Sequence, residues 1–152
     1  MNANSLRLVS ALAAVAMALA VPAGAATAPA GRYTYPATGT VYDTKTKLTW
    51  QQKAPSATYA WAGAKTYCAG VGATLGGTGW RLPTMKELQT IVDESRSKPS
   101  IDPTAFPGAP TAYFWSSSPV AGSPSDAWLV YFYSGYTGYY EMSDSYAVRC
   151  VR

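Results

Sequence analysis

The sequence predicts an α+β domain with an antiparallel sheet, exported from the cell and crosslinked by one disulfide. Three observations lead to this prediction. The chain begins with an apolar segment and a cleavage motif, it carries two cysteines after that segment, and its strand patterns are separated from two helical patterns. Helices and strands that segregate along the chain are typical of α+β folds. A length of 152 residues indicates one domain.

The first 25 residues have the features of a signal peptide. Arg7 supplies a positive charge, residues 8–21 form an almost unbroken apolar run, and Ala23-Gly24-Ala25 is a small-x-small cleavage motif. Ala26-Thr27-Ala28 is a second candidate motif. An apolar run of fourteen residues is too short to cross about 30 Å of hydrocarbon. We therefore expect a cleaved signal, a mature protein with no membrane span, and a periplasmic or extracellular location.

The mature chain begins with a lead-in and a hairpin. Residues 26–38 mix Ala, Thr, Pro and Gly and are predicted to form an extended lead-in before a domain over 39–152. Short apolar and β-branched runs at 40–42 and 48–50 flank a polar turn over 43–47, which predicts a β-hairpin.

Two helices are predicted next. The first is capped by Ser56 or Thr58 and runs to about residue 69, where glycines follow; the side chains that share one face of it are Trp61, Ala64, Lys65 and Cys68. The second begins at Thr84, because Thr84 and Glu87 form a capping box, and it is expected to end near Glu94. Its apolar stripe is Met85, Leu88, Ile91 and Val92.

The second half of the chain predicts more strands. Residues 95–124 are rich in Pro, Ser and Gly and predict a long loop region. Strands are expected at 113–116, 127–133, 139–142 and 146–151, with a turn at 134–135. Within the strand at 127–133 we expect Trp128, Val130 and Phe132 in the core, and Leu129, Tyr131 and Tyr133 on a half-exposed face.

An exported chain with an even number of cysteines predicts a disulfide between Cys68 and Cys150, with two buried free thiols as the alternative. This bridge would join the first helix to the last strand. Strand alternation puts Val148 and Cys150 on the face toward that helix, and Arg149 on the opposite, outer face.

The order and spacing of several motifs resemble the Lcl C-terminal domain family, named after the terminal domain of a bacterial collagen-like adhesin. The motifs are Leu48-Thr49-Trp50, Tyr67-Cys68, Trp80-Arg81-Leu82-Pro83-Thr84, Trp115-Ser116-Ser117, Ala127-Trp128 and the run from Tyr146 to Arg152. The resemblance covers 39–152. It implies a fold similar to C-type lectins and formylglycine-generating enzymes, with two helices on a small looped antiparallel sheet. It also implies a likeness to the terminal domain of the adhesin, which recognises sulfated polysaccharides.

Two features depart from the family pattern. Lys47 stands in the turn where the family pattern has Gly, and no collagen-like stretch precedes the domain in this sequence. Trimerisation through such a stalk is therefore not carried over.

The residue types argue against catalysis. The sequence contains no His, which excludes a Ser-His-acid triad and removes the commonest metal ligand; a Ser-Lys arrangement at the hydroxyl cluster 116–118 is a minor alternative. Both cysteines are assigned to the disulfide, so neither zinc binding nor the cysteine chemistry of formylglycine-generating enzymes is expected. We predict no catalytic residue, no metal, no cofactor and no enzyme activity. A weak calcium site is left open at Glu141, Ser143, Asp144 and Ser145.

Aromatic and basic residues are the candidates for ligand binding. The sequence has twelve Tyr and five Trp, and after loss of Arg7 it carries eleven basic against eight acidic residues. This small positive charge is far from a nucleic-acid signature, and it tolerates acidic partners. Tyr side chains with polar edges suit sugars and protein surfaces alike. The predicted ligand-binding residues are Tyr133, Tyr136, Tyr139, Tyr140, Lys45, Lys47, Lys53 and Arg149.

These observations predict a non-catalytic binding module for glycans, particularly acidic or sulfated ones, or for a surface protein in adhesion. The first alternative is a structural or interaction domain of a cell-envelope assembly with no small ligand. The second alternative, an enzyme, has the least support.

Overall fold

The computed structural model describes residues 28–152, and the predicted signal peptide over 1–25 lies outside this range. Within the described range three short strands come first, three short helices follow, and three further strands end the order, so helices and strands are segregated and the α+β prediction is confirmed. The elements in chain order are β1 (Tyr33–Thr34), β2 (Thr40–Asp43), β3 (Leu48–Gln51), α1 (Trp61–Gly70), α2 (Gly72–Leu75), α3 (Met85–Thr90), β4 (Tyr113–Val120), β5 (Ser123–Tyr131) and β6 (Tyr136–Glu141). Between residues 28 and 152, no helix is long and apolar enough to cross a membrane.

The first sheet has the antiparallel order β1-β2-β3. The predicted hairpin is present, with Val41 opposite Trp50 and Asp43 opposite Leu48. β1 lies within the segment predicted as an extended lead-in, and it pairs Tyr33 with Asp43. Two residues are too few to show the alternation that marks a strand, so sequence patterns did not reveal this third strand.

The turn between β2 and β3 explains the departure at Lys47. Asp43 Oδ1 accepts hydrogen bonds from the backbone N–H groups of Lys45 and Thr46, at 2.9 and 3.4 Å. The chain then reverses through Lys47, whose φ of 64° lies in the left-handed region. Gly adopts this conformation without the steric cost that a Cβ atom adds, which is the physical reason to expect Gly at this position.

The second sheet has the antiparallel order β4-β5-β6. β4 extends to Val120 and β5 begins at Ser123, so a tight hairpin replaces much of the predicted long loop. The pairing between them is irregular beside Pro119, because Pro cannot donate to a strand ladder. Prolines and serines of this kind made the outer ends of both strands resemble a loop. β6 begins at Tyr136, three residues earlier than predicted.

Both helices differ from prediction at one end. The prediction that Ser56 or Thr58 caps the first helix is wrong. α1 begins at Trp61 with no side-chain cap, because Tyr59 is held extended by two backbone hydrogen bonds to Tyr146. α3 ends at Thr90 rather than near residue 94.

The capping box that starts α3 is confirmed. Thr84 Oγ1 accepts from the N–H of Glu87, and Glu87 Oε2 accepts from the N–H of Thr84. Arg81 donates two further hydrogen bonds to the Glu87 carboxylate, at 2.7 and 2.6 Å. These contacts hold the pKa of Glu87 down at about 2, with the Arg81 hydrogen bond as the largest cause.

The second sheet lies between two hydrophobic cores. The first core packs against the face that carries Phe114 and Val130, and its other large members are Trp50, Leu88, Ile91, Ile101, Phe106 and Phe132. The second core packs against the face that carries Trp115 and Leu129, and it includes Ala64, Cys68, Trp80, Leu82, Val148 and Cys150. The predicted half-exposed position of Leu129 is therefore wrong, because α1 and the disulfide cover this part of the sheet.

The C-terminal segment, residues 146–151, joins these parts. It forms isolated bridges rather than the predicted continuous strand, pairing Tyr146 with Tyr59 and Val151 with both Trp50 and Arg81. Its side chains alternate as predicted, with Val148 and Cys150 in the second core. The predicted Cys68–Cys150 disulfide is present, with 5.2 Å between the Cα atoms and both side chains fully buried.

The disulfide is expected to stabilise the domain substantially, because it closes a loop with a sequence separation of 82 residues. Cys150→Ser should lower the free energy of unfolding by roughly 2–5 kcal/mol. Urea unfolding with and without reductant measures this: reductant should destabilise the parent protein and leave Cys150→Ser unchanged. Equal stability of the oxidised and reduced parent would contradict the role assigned to this bridge.

The capping box predicts a pH dependence. Because the pKa of Glu87 is lowered in the folded state from 4.5 to about 2, its contribution is fully present above about pH 5 and is lost as the pH falls toward 2. In Glu87→Gln the difference in stability from the parent should therefore shrink over this range. The assignment would be contradicted if the free energies of unfolding of the parent and Glu87→Gln differed by the same amount from pH 7 to pH 2.

Thr84→Ala should lower the free energy of unfolding by about 1 kcal/mol at neutral pH.

The turn at Lys47 predicts a stabilising substitution. Lys47→Gly removes the left-handed strain of about 1–2 kcal/mol, which stabilises the folded state. Gly also raises the conformational entropy of the unfolded chain, which offsets part of this gain, so the free energy of unfolding should rise by up to about 1 kcal/mol. Lys45→Gly is the matched control, because it adds the same entropy at a neighbouring turn position without relieving left-handed strain, and it should destabilise. Thermal unfolding of both variants tests the difference, and a loss of stability in Lys47→Gly would refute it.

Candidate functional site

An exposed cluster of tyrosines lies on one face of the second sheet. We call the set of Tyr113, Tyr131, Tyr133, Tyr136 and Tyr140 the tyrosine face. The strand register places its members together, because Tyr113 is opposite Tyr131, and Tyr131 is opposite Tyr136. This is the same sheet face that carries Trp115 and Leu129 in the second core. One end of the face is therefore buried beneath α1, and the other end is open to solvent.

Three members form a stacked row. The ring centroids of Tyr113 and Tyr131 are 4.1 Å apart with planes at 19°, and those of Tyr131 and Tyr133 are 5.5 Å apart with planes at 13°. Rings that stack cover one another's faces, so this row presents ring edges and phenol hydroxyls. A hydrogen bond with Tyr140 is the main cause that raises the pKa of Tyr113 to about 12, so its hydroxyl keeps its proton at neutral pH.

Tyr136 is arranged differently from the stacked row. Its side chain is 64% exposed, and its ring leans over Gly138, where an added Cβ atom would come within 3.2 Å of Tyr136 Cε1. Gly138 thus makes room for the ring close to the backbone of β6. An open aromatic ring beside a row of hydroxyls can stack on the C–H face of a sugar while the hydroxyls hydrogen-bond its edge.

Tyr139 belongs to the opposite side of the sheet. Its ring packs edge-on against Trp128 with 5.4 Å between centroids, and it is 54% exposed. The structure therefore places Tyr133, Tyr136 and Tyr140 on the same side of the sheet and Tyr139 on the other.

A lysine that sequence analysis missed adjoins the tyrosine face. Lys98 Nζ lies 5.2 Å from the ring centroid of Tyr133, and the Lys98 N–H donates to the Tyr133 carbonyl at 2.8 Å. The residue lies in a Ser- and Pro-rich loop far from Tyr133 in sequence, and no local pattern indicates this long-range contact. Tyr113 was also missed, although its strand was predicted; the pairing register of that strand was the missing information.

The three predicted lysines lie elsewhere. Lys45 and Lys47 are exposed in the turn between β2 and β3, and Lys53 is exposed just after β3. All three belong to the first sheet. Within residues 28–152, no ring contact or hydrogen bond joins them to the tyrosine face, whereas Lys98 makes both.

The prediction that Arg149 adds charge to an outer face is wrong. Its side chain does point away from the disulfide, but it enters the first core and is 1% exposed. The guanidinium lies 4.6 Å from the ring centroid of Phe106, and Nη1 donates to the carbonyls of Gln51 and Gln52 at 2.8 and 2.5 Å. Burial lowers the pKa of Arg149 to about 9, so its guanidinium stays charged at neutral pH. The side chain contributes to the packing of the core and not to a ligand-binding surface.

The serine cluster on β4 is used structurally. Ser116 Oγ donates to the carbonyl of Trp128 at 2.7 Å, and Ser118 Oγ accepts from the N–H of Met85 at 3.0 Å. Among the described residues, no group of three or more His, Cys, Asp or Glu side chains is placed to hold a metal ion.

A cleft of about 420 Å³ lies between the lead-in and the chain after α3. Its polar groups are largely committed to internal contacts: Asp102 accepts from the N–H of Ala28 at 2.9 Å, and Arg32 pairs with Asp43 at 3.0 Å. Burial alone would raise the pKa of Asp43, but the Arg32 hydrogen bond and backbone N–H groups outweigh it and lower that pKa. These contacts fasten the lead-in to the domain, which leaves the tyrosine face as the better candidate for ligand binding.

The fold defines a small α+β domain with one disulfide and an exposed aromatic face. The family model described as the Lcl C-terminal domain matches residues 39–152, and the chain belongs to that family. The match contains all of the tyrosine face, Lys98 and both cysteines. No curated protein matches the chain closely enough to count as a relative.

Proposed function

We propose that this chain is an exported, non-catalytic binding module that recognises glycans through the tyrosine face. The observation that carries the proposal is the exposed ring of Tyr136 beside the hydroxyl row of Tyr113, Tyr131 and Tyr133. Removal of the signal over residues 1–25 would release the mature domain to the periplasm or the exterior, where a buried disulfide forms readily.

Two observations support an acidic glycan. Lys98 places a cation at the Tyr133 end of the hydroxyl row, where it can pair with a carboxylate or sulfate on a sugar stacked nearby. The adhesin domain after which the family is named recognises sulfated polysaccharides, and adhesion is the corresponding role for this chain. Lys45, Lys47 and Lys53 remain candidates for a second contact along a polymer long enough to reach the first sheet.

The same proposal includes a fold similar to C-type lectins and formylglycine-generating enzymes. It is supported by short helices packed on a looped antiparallel sheet and by a disulfide from α1 to the C-terminal segment. Enzyme activity is not part of the proposal, because the hydroxyls of Ser116 and Ser118 are engaged in structural hydrogen bonds and the chain has no His to activate them.

The alternative is an interaction domain of an envelope assembly with no small ligand. Exposed aromatic side chains on both sides of β6, Tyr136 on one and Tyr139 on the other, favour it, because Tyr is enriched at the energetically important centres of protein interfaces.

Binding to heparin-like and neutral glycans by the purified mature domain separates these proposals. Tyr136→Ala should weaken glycan binding about tenfold or more, because the stacking surface is lost. Gly138→Ala should weaken it less, since the added methyl displaces the ring without removing it. Tyr35→Ala is the matched control, because Tyr35 is 51% exposed but lies outside the tyrosine face, and it should bind like the parent.

The charge contribution is tested on the same glycans. Lys98→Glu should elute from a heparin column at lower salt than the parent, and the triple replacement of Lys45, Lys47 and Lys53 by Glu measures the contribution of the first sheet. Binding that depends on charge should also weaken as salt shortens the Debye length to about 8 Å. If the heparin column does not retain the parent domain even at low salt, the acidic-glycan proposal is contradicted and the interaction-domain alternative is favoured.

A further inference from the structure

β6 is an edge strand whose outer backbone groups are open. The Met142 N–H donates to the Ser125 carbonyl at 2.7 Å, in register with the pairing of Asp126 to Glu141. Because hydrogen-bonded pairs alternate along an antiparallel ladder, Tyr136, Gly138 and Tyr140 direct their backbone groups toward β5. The backbone groups that point away from β5 belong to Thr137, Tyr139 and Glu141.

These outward groups are almost entirely unpaired. Among residues 28–152, the only hydrogen bond to them runs from the Asp144 N–H to the Glu141 carbonyl, at 3.0 Å. That carbonyl retains a second lone pair. The N–H and C=O groups of Thr137 and Tyr139 and the N–H of Glu141 have no partner in this range.

The edge also lacks most of the features that usually block pairing. Natural edge strands are protected by charged side chains, especially Lys, by Pro, by bulges, by very short length or by a covering segment, and the only charge on β6 is Glu141 at its end. β6 reads Tyr-Thr-Gly-Tyr-Tyr-Glu, with no Lys and no Pro, and it pairs with β5 in an unbroken register. The opposite edge of this sheet is covered, because Phe114 and Trp115 of β4 bridge to Ala147.

We propose that β6 pairs with β6 of a second copy of this chain, antiparallel and with a two-fold axis at Tyr139. In this register Thr137 lies opposite Glu141 of the second copy, and the two Tyr139 residues face each other. Two identical strands pair about a two-fold axis only in a symmetric register, and this register engages every outward backbone group. It also keeps the single charge of the strand, Glu141, opposite a neutral residue rather than opposite its own copy.

The pairing would join the two tyrosine faces. A two-fold axis perpendicular to the sheet leaves equivalent faces on the same side, so Tyr140 of one copy comes next to Gly138 of the other, beside Tyr136. The product is a continuous six-stranded sheet that carries one long aromatic surface. This inference rests on the strand edge alone and holds whether or not the ligand is a glycan; a polymeric ligand would gain avidity from it.

Charge substitutions at Thr137 test both the pairing and its register, by sedimentation equilibrium of the mature domain over a wide concentration range. Thr137→Glu places like charges opposite each other twice per dimer and should weaken association about tenfold. Thr137→Lys places Lys opposite Glu141 and should strengthen association. The double variant Thr137→Glu with Glu141→Lys should restore it. Thr34→Glu, on β1, is the matched control and should associate like the parent.

Amide hydrogen exchange gives an independent measure on the unmodified protein. The N–H groups of Tyr139 and Glu141 should exchange rapidly in dilute solution and become protected as the concentration rises, while that of Gly138 is protected throughout. A parent that stays monomeric at all concentrations overturns the proposal. A dimer that responds equally to Thr137→Glu and Thr137→Lys, or that forms without protecting Tyr139, overturns the β6 interface.

Discussion

The C-terminal segment over residues 146–151 is the constraint on which the rest of this domain depends. Each sheet has only three strands, which is about the minimum that can be stable in water, and then only when a hydrophobic face is covered. The segment bridges to Tyr59, to Phe114 of β4 and to Trp50 of β3, and so ties both sheets and the start of α1 together. Alternate side chains enter opposite cores, and the disulfide secures one of those cores covalently.

The same alternation places a charge in the interior. Arg149 stays charged because its pKa, although lowered by burial, is about 9. Hydrogen bonds to the carbonyls of Gln51 and Gln52 and the rings of Phe106 and Phe114 offset part of the cost of removing the guanidinium from water. In return, the guanidinium connects the C-terminal segment to the chain leaving β3.

Local chemistry made some features predictable from sequence and left others hidden. The β2–β3 hairpin, the capping box of Thr84 and the partner of Cys68 each follow from residues close in sequence or from residue counts. The start of α1 and the burial of Leu129 depend on Tyr59 and α1 meeting distant segments. Strand alternation gave the correct direction for Arg149, but only the tertiary structure shows a second core on that side. Lys98 beside Tyr133 is equally non-local.

One face of the second sheet is part of the core at one end and part of the surface at the other. The candidate site lies at the end that forms the surface. α1 and the disulfide cover the end with Leu129, while the end with Tyr131 and Tyr136 remains open. The exposed rings therefore stand on strands that are rigid because their other end is buried. Tyr has few rotatable bonds, and stacked neighbours restrict them further, so little conformational entropy remains to be lost when a ligand binds. Such a preorganised surface is consistent with the extended ligand proposed above, because it lies on an open sheet face rather than inside an enclosing cavity.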